Sequence, residues 1–367
     1  MASDFYALAT PGIQGLHPYQ PGKPVEEVER ELGISNSIKL ASNENPLGPS
    51  QLAMEAAAAS LKDACRYPDA SGFRLKQALS DQYGISPETI TLGNGSNDVL
   101  DLIGRTFALP DDEIIYSEYS FVVYMLVTQS IGAKAVVVPA VSWGHDLEAM
   151  AAAVTDKTRV IYLANPNNPT GTYFTQEALH SFMKKVPEAV IVVLDEAYAE
   201  YVSETDYAKG FSLLADFPNL IVTRTFSKAY GLAALRVGYA VANPQITDLL
   251  NRVRQPFNVN IPALDAAAAV LTDDDFLQRS VSNNSAGMSQ LEQGFIELGL
   301  SWIPSVGNFI TVDCGEDAAS LFEALLLEGV IVRPVANYKM PNHLRVTIGL
   351  PEENRRCLEA FAKVLKK

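Results

Sequence analysis

Seven short apolar runs, rich in β-branched residues, punctuate the chain between residues 88 and 242: ETITL, EIIYS, KAVVVP, RVIYLAN, AVIVVLD, NLIVTRT and LRVGYAVA. They are nearly continuous in apolar residues, and helix-length segments separate them. Strands buried on both faces read this way, so the pattern predicts an α/β unit with a seven-stranded, mostly parallel sheet covered by helices on both sides. Ahead of it, SQLAMEAAAASLKD predicts a helix with Ser50 as its N-cap. Beyond residue 260 the rhythm changes to helical patterns near 262–300 and 316–328, then FITVD, GVIVRP and HLRVTIG, and an amphipathic helix from Pro351. A smaller α+β domain is expected there. The predicted organisation is an N-terminal arm and entry loop at 1–45, a large domain at 46–260 and a small C-terminal domain at 261–367.

Length agrees with that division, since 367 residues at ~150 per domain give about two domains. With 48% hydrophobic and 19% charged residues the composition is that of an ordinary globular protein. The net charge of −15 disfavours nucleic acid and anionic lipid as partners. No secretory pattern opens the chain and no apolar run approaches the ~18 residues of a membrane span, so a cytoplasmic address is expected. Three cysteines (Cys65, Cys314, Cys357) and four histidines (His17, His145, His180, His343) are scattered without metal-ligand spacing. Reduced thiols and no metal are the expectation.

Ligands of an open parallel sheet sit at the carboxyl ends of the strands, so the residues after each run matter most. After ETITL comes GNGSNDVLDLIG, a glycine turn into a helix whose first amides could cradle an anion. A dinucleotide fingerprint is excluded because its third glycine falls at Asp98, and a Walker loop because no Gly-Lys-Ser/Thr follows. A purely structural turn stays open. AVIVVLD ends in Asp195, which reads either as a helix N-cap or as a counter-ion for a protonated heterocycle, because a buried carboxylate needs a partner. Lys228, in an otherwise uncharged stretch of FSKAYG, reads either as a solvated loop lysine or as a desolvated nucleophile lowered by Arg224 or Arg236. The turn Asn165–Gly171, with two prolines bracketing asparagines, is either a plain turn or a rigid mount for one amide side chain.

In this order the glycine turn, NPNNPTG, LDEAY and SKAYGLAALRVGY resemble fold-type-I aminotransferases that use pyridoxal phosphate, and the match spans essentially the whole chain. The resemblance implies that Lys228 carries the cofactor and that Asp195 keeps its pyridine nitrogen protonated so that the ring is an electron sink. It further implies Asn168 and Tyr198 on the phenolic oxygen, and Ser96, Asn97, Thr225, Ser227 and Arg236 on the phosphate. Phe121 would stack on the ring, where relatives often carry Tyr or Trp. The segment CRYPDASGFRLKQAL resembles the one whose tyrosine, here Tyr67, reaches the partner's cofactor phosphate. That implies a homodimer with shared sites, the arm packing with the small domain and the partner.

In HLRVTIG the apolar Leu344, Val346 and Ile348 alternate with Arg345 and Thr347, so Arg345 points off the core face and matches the family's carboxylate-binding arginine. The stretches HPYQPGKP and NENPLGP and the paired arginines resemble the histidinol-phosphate aminotransferases, in which Tyr19, Arg333 and Arg345 would bind a substrate phosphate or carboxylate. Read without the resemblance, Arg333 is equally a surface ion-pair residue and Tyr19 a packing residue. The reaction implied exchanges an amino group between glutamate/2-oxoglutarate and histidinol phosphate/3-(imidazol-4-yl)-2-oxopropyl phosphate. An aromatic amino-acid aminotransferase is the alternative, and a threonine-phosphate decarboxylase a more distant one.

Overall fold

The computed structural model describes residues 4–18, 22–315 and 318–365. After a short strand β1 (Ile38–Lys39), the large sheet is built from β2 (Ile90–Gly93), β3 (Glu113–Ser117), β4 (Lys134–Val138), β5 (Thr158–Ala164), β6 (Ile191–Asp195), β7 (Leu220–Thr225) and β8 (Gly238–Ala242). These are the seven apolar runs. Their order is β2-β8-β7-β6-β5-β3-β4, parallel throughout except for β8, which lies antiparallel between β2 and β7.

Alternation decides which residue faces which layer. Val160, Tyr162 and Val193 pack on one side with Val99 and Ile103 of the helix Ser96–Phe107, while Ile161, Leu163, Val192 and Leu194 pack on the other with Leu179 and Phe182 of the helix Gln176–Met183. Asp195 and Thr223 therefore share the first face, one step beyond Val193 and Ile221. At the edge, β4 departs from the expected two-sided burial. Lys134, Ala135 and Val137 are exposed, β4 being the last strand in the sheet order.

The expected helix at Ser50 forms as Gln51–Ser60, with Ser50 Oγ accepting from Ala53 N at 3.1 Å. The pattern near 262–300 resolves into two helices, Ile261–Val270 and Asp274–Glu297, broken where Asp273 caps the second. Ala263, Ala266, Ala267 and Val270 bury themselves with Ala53, Leu75 and Ile90, so the first of these helices packs into the large domain's core. The second bridges, with Phe276 in that core and Leu291 and Phe295 in the smaller one.

The small domain carries β9 (Ser301–Ile303), β10 (Phe309–Asp313), β11 (Val330–Ile331), β12 (Arg333–Pro334) and β13 (His343–Thr347). Four of these form an antiparallel sheet in the order β12-β13-β10-β9. The run GVIVRP, read as one strand, is two, because β11 leaves to pair in parallel with β1 from the N-terminal segment. That segment also touches the other domain: the helix Pro11–Gln14 lies against the helix Val122–Ile131, so closely that a Cβ on Gly12 would fall 2.1 Å from Gln129 O. Within the chain the N-terminal segment thus touches both domains.

Candidate active site

All the parallel strands of the large sheet end at one edge, and the loops that follow them wall a cleft of about 410 Å³ closed on its far side by the small domain and by residues 41–44. Ser96, Asn97, Phe121, Asn168, Asp195, Tyr198, Thr225, Ser227, Lys228, Arg236, Arg333 and Arg345 all line it. Tyr67 does not. It is 80% exposed and stacks on Phe257 with ring centroids 4.7 Å apart. Tyr19 lies outside the described residues.

At the end of β6, Asp195 is buried, and its two oxygens accept from Tyr124 Oη at 2.9 Å and Thr223 Oγ1 at 3.1 Å. Burial pushes its carboxyl up to about 6 against the pull of those two hydroxyls. Asp195 is not the N-cap of the short helical turn that follows, Ala199–Tyr201, whose N-cap is Tyr198; its carboxylate meets the Ala197 backbone N–H besides the two hydroxyls. A buried carboxylate met only by neutral donors fits a cationic ligand group arriving from the cleft.

Lys228 follows β7, half-buried, with Nζ donating to Ser42 O at 3.0 Å and lying 5.7 Å from the centre of the Tyr198 ring. Withdrawal from water, then the charges of Arg345 and Arg236, bring its amine down to about 7. Arg224, expected to share in this, points to the opposite side of β7. It pairs there with Glu196 at 2.6 Å and Glu200 at 3.5 Å, beneath Phe211. Tyr198 Oη accepts from Asn43 Nδ2 at 3.0 Å, and burial raises its phenol to about 12.

The glycine turn after β2 leads into the helix Ser96–Phe107 through Gly95, at φ 88°. A Cβ on Gly95 would sit 2.3 Å from Arg236 Nη2, so only glycine lets the guanidinium approach the helix N-terminus. Among the described residues Arg236 is anchored by neutral oxygens, Ser227 Oγ at 3.3 Å and Ala233 O at 2.9 Å, and Ser227 N donates to Thr225 Oγ1 at 3.1 Å. Asp98 turns its carboxylate back onto Asn94 N at 2.8 Å and Asn258 Nδ2 at 2.9 Å, away from the cradle. First-turn amides, two hydroxyls and a guanidinium held without a carboxylate fit a phosphate.

Opposite, Arg345 reaches from β13 across the domain seam. It donates through Nη1 to Asn168 Oδ1 and through Nη2 to Ala41 O at 2.8 Å, with its guanidinium 5.3 Å from the Phe309 ring centre. Leu344 and Val346 on its other side enter the small-domain core, as the alternation predicts. Asn168 sits in the turn after β5, whose Asn165–Pro166 and Asn168–Pro169 peptides are both cis. Sequence reasoning missed Tyr124, Thr223, Asn43 and Tyr338. Thr223 was within reach, two residues before Thr225 and so on the same strand face. Tyr124 follows Phe121 by three on a helix and shares its side. Asn43 gave no signal.

A lysine amine, a strand-end carboxylate and an anion cradle converging at the carboxyl edge of this sheet, with a small α+β domain over them, define the fold-type-I transferases. The family model for aminotransferase class I and II matches residues 35–361, and the chain belongs to that family. Histidinol-phosphate aminotransferase 2 of Pseudomonas fluorescens is 59% identical over 367 residues, 100% of this chain and 99% of its own. Histidinol-phosphate aminotransferase 1 of Mannheimia succiniciproducens is 55% identical over 361 residues, covering 98% and 99%. Among solved structures, histidinol-phosphate aminotransferase from Sinorhizobium meliloti, in complex with pyridoxal-5′-phosphate, superposes with a TM-score of 0.89 at 31% identity, covering 97% of each chain.

Proposed function

We propose that this chain is a pyridoxal-5′-phosphate enzyme that exchanges an amino group between glutamate/2-oxoglutarate and histidinol phosphate/3-(imidazol-4-yl)-2-oxopropyl phosphate, a step of histidine biosynthesis. The observation that carries the chemistry is the Lys228 amine, lowered to about 7 and facing the same cleft as the neutral-donor cage of Asp195. The substrate follows the full-length relatives that carry this activity in their names. When bound, the cofactor supplies an electron sink for the carbanion at the substrate Cα.

The chain's own residues divide the work. Lys228 would hold the cofactor and, as a free amine, would carry the proton at the substrate Cα. An amine near neutrality is free to accept that proton. Asp195 would keep a proton on the pyridine nitrogen, Phe121 would face the ring, and Asn168 and Tyr198 would meet the phenolic oxygen. Ser96, Asn97, Thr225, Ser227 and Arg236 hold the phosphate. Arg345 and Arg333 take the carboxylate of one substrate and the phosphate of the other, with Tyr19 from the arm. Two cations in one pocket accommodate both anions, which a single fixed fork would not.

Tyr67 reaches the partner's site in a homodimer, a reading supported by its exposure beside Phe257 and by exposed Leu61 and Phe73 in the same stretch. Mixing Tyr67→Phe with Lys228→Ala subunits then yields hybrids with one unaltered site, and verified hybrids without recovered activity would count against sharing. No helix among the described residues is long and apolar enough to cross a membrane, and Cys65, Cys314 and Cys357 are free, which supports work in the cytoplasm.

Single-turnover absorbance tests the whole reading. Histidinol phosphate should convert the visible band of the lysine-bound cofactor rapidly, phenylalanine and threonine phosphate slowly or not at all. Absence of a visible band after adding pyridoxal phosphate would remove the cofactor. Preference for phenylalanine would make the enzyme an aromatic aminotransferase.

A further inference from the structure

The turn that carries Asn168 belongs to the large domain, yet the small domain holds it at three points. Arg345 Nη1 donates to Asn168 Oδ1, Val306 N donates to Gly171 O at 3.0 Å, and the Thr311 hydroxyl donates to Pro169 O. Thr311 and Arg345 are direct partners in the β10–β13 ladder, so their side chains stand together on one face of the small sheet and grip consecutive residues of the turn. Thr311 is fully buried, and a hydroxyl with no water to turn to depends on the partner it has.

The two grips differ in kind. Arg345 spends Nη1 on Asn168 and Nη2 on Ala41 O, so a carboxylate arriving there competes with Asn168 for the same guanidinium. Thr311 holds a backbone carbonyl for which no substrate competes. We propose that Thr311 is a positioning residue for amino transfer: by holding Pro169 O it keeps the Asn168 amide in place while a substrate carboxylate draws on Arg345. The proposal rests on the reading that Asn168 meets the cofactor's phenolic oxygen.

Thr311→Val keeps the shape and removes the hydroxyl, while Thr311→Ser keeps the hydroxyl and drops the methyl. In the cofactor-loaded enzyme, Thr311→Val should move the midpoint of the visible-absorbance pH titration upward by about half a unit or more. An ionised phenolic oxygen that loses a donor holds its shared proton more tightly. The same variant should lower kcat/KM for glutamate about tenfold, chiefly through KM, and Thr311→Ser should sit close to the parent in both measurements. Asn168→Ala sets the full size of the titration shift. A midpoint moved by Asn168→Ala but not by Thr311→Val overturns the proposal, as do Val and Ser variants that are equally impaired, which would make the methyl's packing responsible. A midpoint unmoved by Asn168→Ala removes the role of Asn168 itself, and the proposal falls with it.

Discussion

The two walls of the cleft are built differently. On the large-domain side the functional groups come from the ends of β2, β5, β6 and β7 and the loops after them, and two of them are fixed within that domain: Asp195 by Thr223 from the adjacent strand and Tyr124 from the helix above, Arg236 by Ser227 and Ala233. On the other side Arg345, Arg333 and Asn43 come from β13, β12 and the N-terminal segment, and they are joined by contacts between residues some 300 positions apart, such as Asn43 N to Thr347 Oγ1 at 2.9 Å. One wall is organised before any ligand arrives, at the carboxyl edge of a buried sheet. The other is a seam. On the proposed reading, the cofactor's groups belong chiefly to the first wall and the substrate's anions to the second.

If that division holds, substitutions on the two walls fail in different ways. Asp195→Asn should lower the rate of Cα proton loss most, by about 10³-fold, with substrate binding little changed, since a preorganised charge is lost where the transition state needs it. Stopped-flow single turnovers with deuterated substrate read that step directly. Arg345→Gln should act on the other wall, lowering kcat/KM for glutamate about 10²-fold through KM while the cofactor's visible band persists. Equal losses of binding and rate in both variants would erase the distinction.

Smaller changes probe each wall's own structure. Gly95→Ala forces the guanidinium of Arg236 away from the helix N-terminus, and cofactor affinity should fall about tenfold in equilibrium dialysis. The smallest effect concerns the cofactor-free protein. Lys228 is lowered to about 7 in the folded chain and returns to its ordinary value on unfolding, so between these pH values the unfolded state binds more protons and stability attributable to this group rises with pH. Lys228→Met removes that penalty. The cofactor-free variant should exceed the parent by about 1 kcal/mol near pH 7 in denaturant titrations, with the gap closing toward pH 10.

The same contrast explains what could be read in the sequence. The first wall lies in contiguous motifs, and strand-end logic places Asp195, Lys228 and the glycine turn without any knowledge of packing. Arg345 was legible from the period of two in HLRVTIG. Asn43 was not, because its side chain acquires meaning only when β1 pairs with β11 and brings residues 41–44 over Tyr198 and Lys228. Arg224 was misread for a related reason. Sequence proximity to Lys228 suggested a shared field, but neighbouring positions on a strand face opposite ways, and Arg224 spends its charge on Glu196 and Glu200. The helix Ile261–Val270 packs with Ala53, Leu75 and Ile90, which its alanine-rich pattern does not announce, because such a pattern says that a face is buried, not against what.

The pairing of β1 with β11 sets an order on the making of the protein. A nascent chain that has emerged as far as β8 can close the large sheet and set Lys228 beside Asp195, yet it has no strand for β1 and no partner for Asn43. Residues 38–43 must wait, unpaired, while the ribosome adds some three hundred more residues. Contacts of such separation are slow to form. The seam that carries Arg345 and Arg333 is therefore the last part of the cleft to be completed, and a chain released early would carry Lys228 in a cleft with one side missing.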